Sequence, residues 1–174
     1  MKQYYDFNID KIKNLSPEEI NFRKKNLELF YQIGFPNKKD EDWKFSDLNS
    51  ILSNNFNNIE NTHFVSKEKN FKIINNFEHN YISLFNGKLV SSDFSHEEKN
   101  KISIENFNYK SEKNLDKKNS LNFLNHALAL GGFSLEISKN YKLKKSLVIY
   151  NNFSNSLKET IVNYKNSITL NENS

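Results

Sequence analysis

Leu121-Asn122-Phe123-Leu124-Asn125-His126-Ala127-Leu128-Ala129-Leu130-Gly131-Gly132-Phe133-Ser134-Leu135-Glu136-Ile137 is the stretch where the chain changes period. Leu121, Leu124 and Leu128 recur at helical spacing, which predicts a helix over Ser120 to Leu130 that Gly131-Gly132 brings to a stop. Beyond the glycines Phe133, Leu135 and Ile137 alternate, and alternation is the signature of a strand with one buried face. The same texture continues downstream. Leu147-Val148-Ile149-Tyr150 and Thr160-Ile161-Val162 are short β-branched runs, and Ile168 and Leu170 alternate again. Strand centres about 13 residues apart with polar connections suit a meander or the coils of a β-solenoid. Pattern alone leaves both open.

Upstream the chain is helical first and strand-forming later. Ser16 is followed by Pro17 at the first helical position and by Glu19 three residues after the cap, a capping box that starts a helix. Ile20, Leu27, Phe30 and Tyr31 line one stripe, with Phe22, Leu29 and Ile33 beside it. Gly34 ends the helix and Pro36 prevents continuation. Next comes the turn-rich stretch Phe35 to Phe45, after which Ser46 or Asp47 caps a short helix carrying Leu48, Ile51 and Leu52. Residues 53–70 read as loop, and strands are expected from Phe71 to Ile74. Tyr81 to Phe85, then Asn86-Gly87, then Lys88-Leu89-Val90 form a hairpin signal, because Asn-Gly tolerates the positive φ of a type I′ turn. Residues 107–119 are polar loop or linker. The expected organisation is an N-terminal helical subdomain over 1–60, a small strand and hairpin region over 61–119, and a helix with a further strand region over 120–174.

Composition bounds the function. At 174 residues the chain is one domain, or one and a fragment. The hydrophobic share is 36%, but aromatics reach 14%, with fifteen Phe and eight Tyr, which argues against disorder. There is no cysteine, so disulfides, thiolate metal sites, a cysteine ligand for a cluster and a cysteine nucleophile are all excluded. No apolar run marks a signal peptide at Met1 to Asp6, and the longest apolar segment, Ala127 to Phe133, is far too short to span a membrane. The expectation is a soluble, cytoplasmic protein. A net charge of +4 raises the question of nucleic acid. The basic residues are nearly all lysine, however, with Arg23 the lone arginine, and readout of bases or phosphates leans on arginine forks. A solvated lysine-rich surface is the reading taken, with no nucleic-acid partner.

Candidates for chemistry are few. His63, His79, His96 and His126 are scattered without ligand spacing, and His126, beside the Leu124/Leu128 face, reads as structural. There is no phosphate loop and no nucleophile elbow. Asp40, Glu41 and Asp42 lack the spacing and glycine of a calcium loop, so they are expected to cap a turn and form surface pairs. Trp43 is expected to anchor the core of the N-terminal subdomain. The residues point to no enzyme, no metal and no cofactor.

Three segments, in order, resemble one family. Gly34-Phe35-Pro36, then Asp40, Glu41, Trp43 and Lys44, following an N-terminal helix, is similar to the start of SufD, a scaffold subunit of the SUF iron–sulfur cluster assembly machinery. Leu84-Phe85-Asn86-Gly87-Lys88-Leu89, followed by Ser95, resembles that family's Asn-Gly hairpin. Leu124-Asn125-His126-Ala127 with Gly132 and Leu135-Glu136-Ile137 resembles the start of its right-handed parallel β-helix. The resemblance implies an α+β fold: an N-terminal helical cap followed by the first coils of a right-handed parallel β-helix, here truncated. It further implies a scaffold role through SufB-like and SufC-like partners and not catalysis. Since the resemblance covers less than half of the family's length, it brings no functional residue with it, and self-association through an open β-helix end is expected. Two other readings stand beside it: a free-standing interaction module built on the same fold, and a left-handed β-solenoid acyltransferase, against which the absence of hexapeptide repeats counts.

Overall fold

Ser16 opens the first helix as its sequence predicts. In the computed structural model of the chain, which describes residues 5–61, 72–108 and 119–174, the Ser16 hydroxyl accepts from the Glu19 N–H at 3.2 Å and α1 runs Pro17–Ile33. Gly34 closes it at φ +81°, with its N–H donating to the Phe30 carbonyl. A second cap also forms: the Asp47 carboxylate, not the Ser46 hydroxyl, accepts from Ser50 N–H and starts α2, Leu48–Asn55. The third helix, α3, is Ser120–Leu128, capped by Asn119.

The described residues fall into two units, each assembled from separate stretches of chain. The first comprises Met1–His63, Tyr109–Ala129 and Lys158–Asn163. Its core is Phe7, Ile9, Leu27, Phe30, Phe35 and Ile59 together with Phe123, Leu124, Ala127 and Leu128 of α3. Burying each large apolar side chain contributes about 1.5–3 kcal/mol, and this is what holds α1 and α3 together. Rings of Tyr5, Phe30 and Phe35 meet edge to face at 5.0–5.9 Å. Three short parallel strands, β1 (Tyr5–Asp6), β2 (Ile59–Asn61) and β8 (Thr160–Ile161), complete the unit in the order β1-β2-β8.

The second unit comprises Phe64–Asn108, Leu130–Leu157 and Tyr164–Ser174. Its strands are β3 (Asn80–Phe85), β4 (Lys88–Asp93), β5 (Ile102–Asn106), β6 (Gly132–Ile137), β7 (Leu147–Asn152) and β9 (Lys165–Leu170). The sheet is mixed, in the order β5-β6-β4-β3-β7 with β9 on β6. The pairs β3–β4 and β5–β6 are antiparallel; β3–β7, β4–β6 and β6–β9 are parallel. Between β6 and β9 the register keeps a constant offset of 33 residues, 132 against 165 and 137 against 170. The alternation read from the sequence is the burial observed: Phe133, Leu135 and Ile137 point into a core with Ile82, Leu84 and Tyr141.

Several expectations change. The fold is mixed α/β, but the right-handed parallel β-helix is not shown, because antiparallel pairs interrupt the sheet. Thr160 to Val162 supplies only a two-residue strand. Residues 59–61 form β2 inside the expected 53–70 loop. Residues 72–75 carry no strand, and β3 starts at Asn80. Helix α3, grouped in sequence with 120–174, lies in the unit that holds α1, since the Leu124/Leu128 stripe finds its apolar partner there. On α1 the buried face is Arg23, Asn26, Leu27 and Phe30, rotated from the expected stripe, so that Tyr31 and Ile33 are exposed.

Candidate functional site

The turn after α1 is held by its own polar groups. Phe35 and Pro36 are buried and fix its start. The Asp40 carboxylate accepts from Asn37 N–H at 2.9 Å and the Asn37 carbonyl oxygen of the side chain accepts from Lys39 N–H at 2.9 Å. Asp40 then caps a single 3-10 turn, Glu41–Trp43. Asp40, Glu41 and Lys44 are exposed; the Lys44 ammonium sits 5.1 Å over the Phe45 ring, itself 89% exposed. Trp43 is not the core anchor expected. It is half-buried and stands outside the apolar cluster, because Phe35 enters the interior and the 3-10 turn leaves Trp43 at the surface. Of the three acids only Asp40 holds the turn, through Asn37 N–H; Glu41 and Asp42 lie within the 3-10 turn itself, and among the described residues none of the three makes an ion pair with Lys38, Lys39 or Lys44.

Arg23 is the side chain sequence reasoning passed over. The residue is 5% exposed, and its guanidinium lies at the C-terminal end of α3. Nη1 donates to the Ala127 carbonyl at 2.9 Å and Nη2 to the Ala129 carbonyl at 2.8 Å. Nε and Nη2 both donate to Oε1 of Glu19, one turn earlier on α1, at 3.0 and 2.8 Å. The capping-box glutamate is therefore turned onto Arg23, and a cation satisfies the carbonyls and the negative dipole end of α3. The signal was present as Glu19 and Arg23 at i, i+4, but that spacing is common on any helix. His126 lies beside this clasp, buried and edge-on to Phe22 at 6.0 Å, and burial pushes its imidazole below the usual histidine range. Asn125, half-buried in α3, offers its carbonyl to Ala129 N–H.

In the sheet unit, three of the chain's four glycines make one close-packed corner. Asn86 and Gly87 both have positive φ, 48° and 80°, as a type I′ hairpin requires. The Asn86 side-chain oxygen accepts from Ser154 N–H at 2.9 Å, which ties the turn to the end of β7. A Cβ on Gly87 would lie 2.8 Å from Tyr164 Cβ. One on Gly131 would overlap the Gly87 carbonyl, and one on Gly132, at φ +117°, would overlap the Lys165 carbonyl. The glycine pair read as a helix stop is thus mainly a contact requirement: α3 already ends at an extended Ala129.

Glu97 and His79, two buried titratable side chains of this unit, are both engaged by protein groups. Glu97, 8% exposed, accepts from Asn80 Nδ2 at 2.7 Å, Tyr141 Oη at 2.7 Å, Lys144 N–H at 2.9 Å and Lys145 N–H at 3.1 Å. Burial raises its pKa, but these donors outweigh burial and hold the carboxyl at about 2. With its lone pairs taken, Glu97 is poorly placed to act as a base. His79 is similarly engaged. Its Nδ1 faces the Phe77 carbonyl at 3.0 Å, so it carries the proton. Nε2 then accepts from Tyr150 Oη at 2.7 Å, and that oxygen accepts from Ile74 N–H at 3.1 Å. His96 is exposed, and His63 lies outside the described residues. Among the described residues no three His, Asp or Glu side chains gather as a metal site, and no helix is long and apolar enough to cross a membrane.

The motif residues divide between the two units. Gly34, Phe35, Pro36, Asp40, Glu41, Trp43, Lys44 and Asn125 belong to the helical unit, whereas Asn86, Gly87 and Gly132 belong to the sheet unit. No curated protein matches the chain. Comparison with protein families matches residues 1–149 to the SufBD protein N-terminal region. That stretch takes in α1, α2 and α3, the Asn86-Gly87 hairpin and the glycine corner up to Gly132. The chain therefore belongs to the SufB/SufD family of the SUF iron–sulfur cluster assembly system.

Proposed function

We propose that the chain acts as the N-terminal portion of a SufD-like scaffold, working by assembly with SufB-like and SufC-like subunits in the cytoplasm and not by catalysis. The family match over residues 1–149 carries this reading. Supporting it, the buried polar groups Arg23, His79 and Glu97 are spent on internal hydrogen bonds, which leaves none of them free for proton transfer. The sequence offers no thiolate to a cluster. The parallel β6–β9 pair, with its constant offset of 33 residues and Leu135 over Ile168, Ile137 over Leu170, is the kind of stacking with which a β-helix begins.

Co-expression tests the proposal. The chain, produced with SufB-like and SufC-like subunits, is expected to co-elute with at least one of them in size exclusion. Elution alone in every combination would overturn the scaffold reading. Purified by itself, it is expected neither to hydrolyse ATP nor to retain visible iron–sulfur absorbance after reconstitution and desalting; either activity would overturn the non-catalytic part.

A further inference from the structure

Residues 138–146 carry the chain from β6 to β7 across the surface, and the sheet unit holds this loop firmly. Ser138 N–H donates to the Lys101 carbonyl and Asn140 N–H to the Glu172 carbonyl, both at 2.9 Å. Tyr141 is buried, with its hydroxyl donating to Glu97 and accepting from Glu98 N–H. Lys144 and Lys145 N–H donate to Glu97, and the Lys145 carbonyl accepts from Asn80 Nδ2. A buried carboxylate satisfied only by neutral donors is an expensive feature. Here three of its four donors, Tyr141 Oη and the Lys144 and Lys145 N–H groups, belong to the exposed loop and fix its course.

What the fixed backbone presents is lysine. Tyr141 and Leu143 turn inward, while Lys139, Lys142 and Lys144 are exposed. Lys145 lies beside them, and the bond from Ser138 brings the Lys99–Lys101 turn to the same edge. Lys139 pairs with Glu172, Lys144 with Glu98 at 3.8 Å and Lys145 with Glu78 at 2.7 Å. Among the described residues Lys99, Lys101 and Lys142 make no ion pair.

We propose that this lysine-bearing corner docks an acidic peptide segment of a protein partner. A nucleic acid fits it less well. The corner has no arginine fork, its one aromatic ring in the loop, Tyr141, is buried and offers no stacking surface, and Glu78, Glu98 and Glu172 interrupt the positive charge that a continuous phosphate backbone needs. Carboxylates on a peptide can be spaced to meet Lys99, Lys101 and Lys142 between those acids. Because the loop is already ordered, binding does not have to order it, which lowers the cost of association.

The full chain is titrated with a labelled oligoglutamate peptide, an oligolysine peptide and a DNA duplex. Oligoglutamate is expected to bind, and more weakly as salt is raised. The variant Lys99→Glu/Lys101→Glu/Lys142→Glu should weaken it about tenfold or more, as like charges replace attraction, with an unchanged unfolding midpoint. Glu97→Gln should weaken it too while leaving every lysine in place. No oligoglutamate binding, equal binding by the triple variant, or tighter binding of DNA overturns the proposal. The inference asks only for a partner, so it stands or falls apart from the scaffold reading: co-elution with SufB-like or SufC-like subunits and oligoglutamate binding are separate readouts.

Discussion

Replacing Arg23 by Met tests whether one guanidinium clasps α1 to α3. The substitution keeps the length and apolar stem of the side chain but removes every donor. Three groups lose their partner: the Ala127 carbonyl, the Ala129 carbonyl and the Glu19 carboxylate, the last with its side chain 16% exposed. Leaving a buried acceptor unpaired costs about 1–3 kcal/mol, and breaking a buried ion pair from one side costs about 3–5 kcal/mol. The terms overlap because Glu19 and the carbonyls share one cation, so the expected loss is about 3–5 kcal/mol rather than their sum. Arg23→Lys should lose less, about 1–3 kcal/mol, because an ammonium can reach one or two of these acceptors but lacks the fork that meets all three. The discriminating variant is Glu19→Ala/Arg23→Met. With the orphaned carboxylate gone, part of the loss should return, a non-additivity expected of neighbours in one network. Urea unfolding followed by far-ultraviolet circular dichroism measures each step. If Arg23→Met unfolds within about 0.5 kcal/mol of the parent, within the range of an ordinary surface change, the clasp is wrong. If the double variant is no more stable than Arg23→Met, the carboxylate plays no part in it.

Gly132→Ala and Gly34→Ala form a second contrast. Both residues have positive φ, but only Gly132 meets a neighbouring carbonyl, so Gly132→Ala should abolish soluble folding while Gly34→Ala costs about 1 kcal/mol; soluble yield and melting temperature decide, and a well-folded Gly132→Ala protein would refute the close approach. Glu97→Gln should destabilise the sheet unit by about 2 kcal/mol, since an amide places a donor where Tyr141 and two N–H groups also donate, and hydrogen exchange at Lys144 and Lys145 should rise. Because the Glu97 carboxyl is held at about 2, below its ordinary value of 4.5, its contribution is full above that ordinary value and is lost as pH falls toward 2. His126 has the opposite charge type and the same sign: burial favours its neutral form, so the helical unit should lose stability as pH falls below about 6.5, and His126→Phe should flatten that part of the stability profile.

Much of the local structure was legible in residues alone, and for a short-range reason. The Ser16 hydroxyl caps the Glu19 N–H within one helical turn, and Asn86-Gly87 acts within one hairpin, so neighbours in sequence carry the whole interaction. The alternation of Phe133, Leu135 and Ile137 likewise follows from the pleat. Three motif stretches also pointed to a family that the comparison with known families bears out at the level of SufB/SufD. None of this located Arg23, Glu97 or the Tyr150–His79 pair. Arg23 bonds across 104 and 106 residues, Glu97 across 47, and Tyr150 to His79 across 71. No spacing rule reaches so far.

The misreadings have the same origin. Trp43 has the composition of a core residue, but burial is a competition for space, and Phe35 enters the interior ahead of it. Gly131-Gly132 has the composition of a helix stop, yet what demands glycine there is the Gly87 carbonyl and the Lys165 carbonyl, brought in by β4 and β9. Sequence by itself determined where helices start, where the hairpin turns and which strand faces are apolar, because caps, turns and side-chain alternation are settled by contacts a few residues long. Only the tertiary structure decided which apolar faces met, which glycines were contacts and which charges were buried, because each of these depends on groups that are distant in the chain and become neighbours only once it has folded.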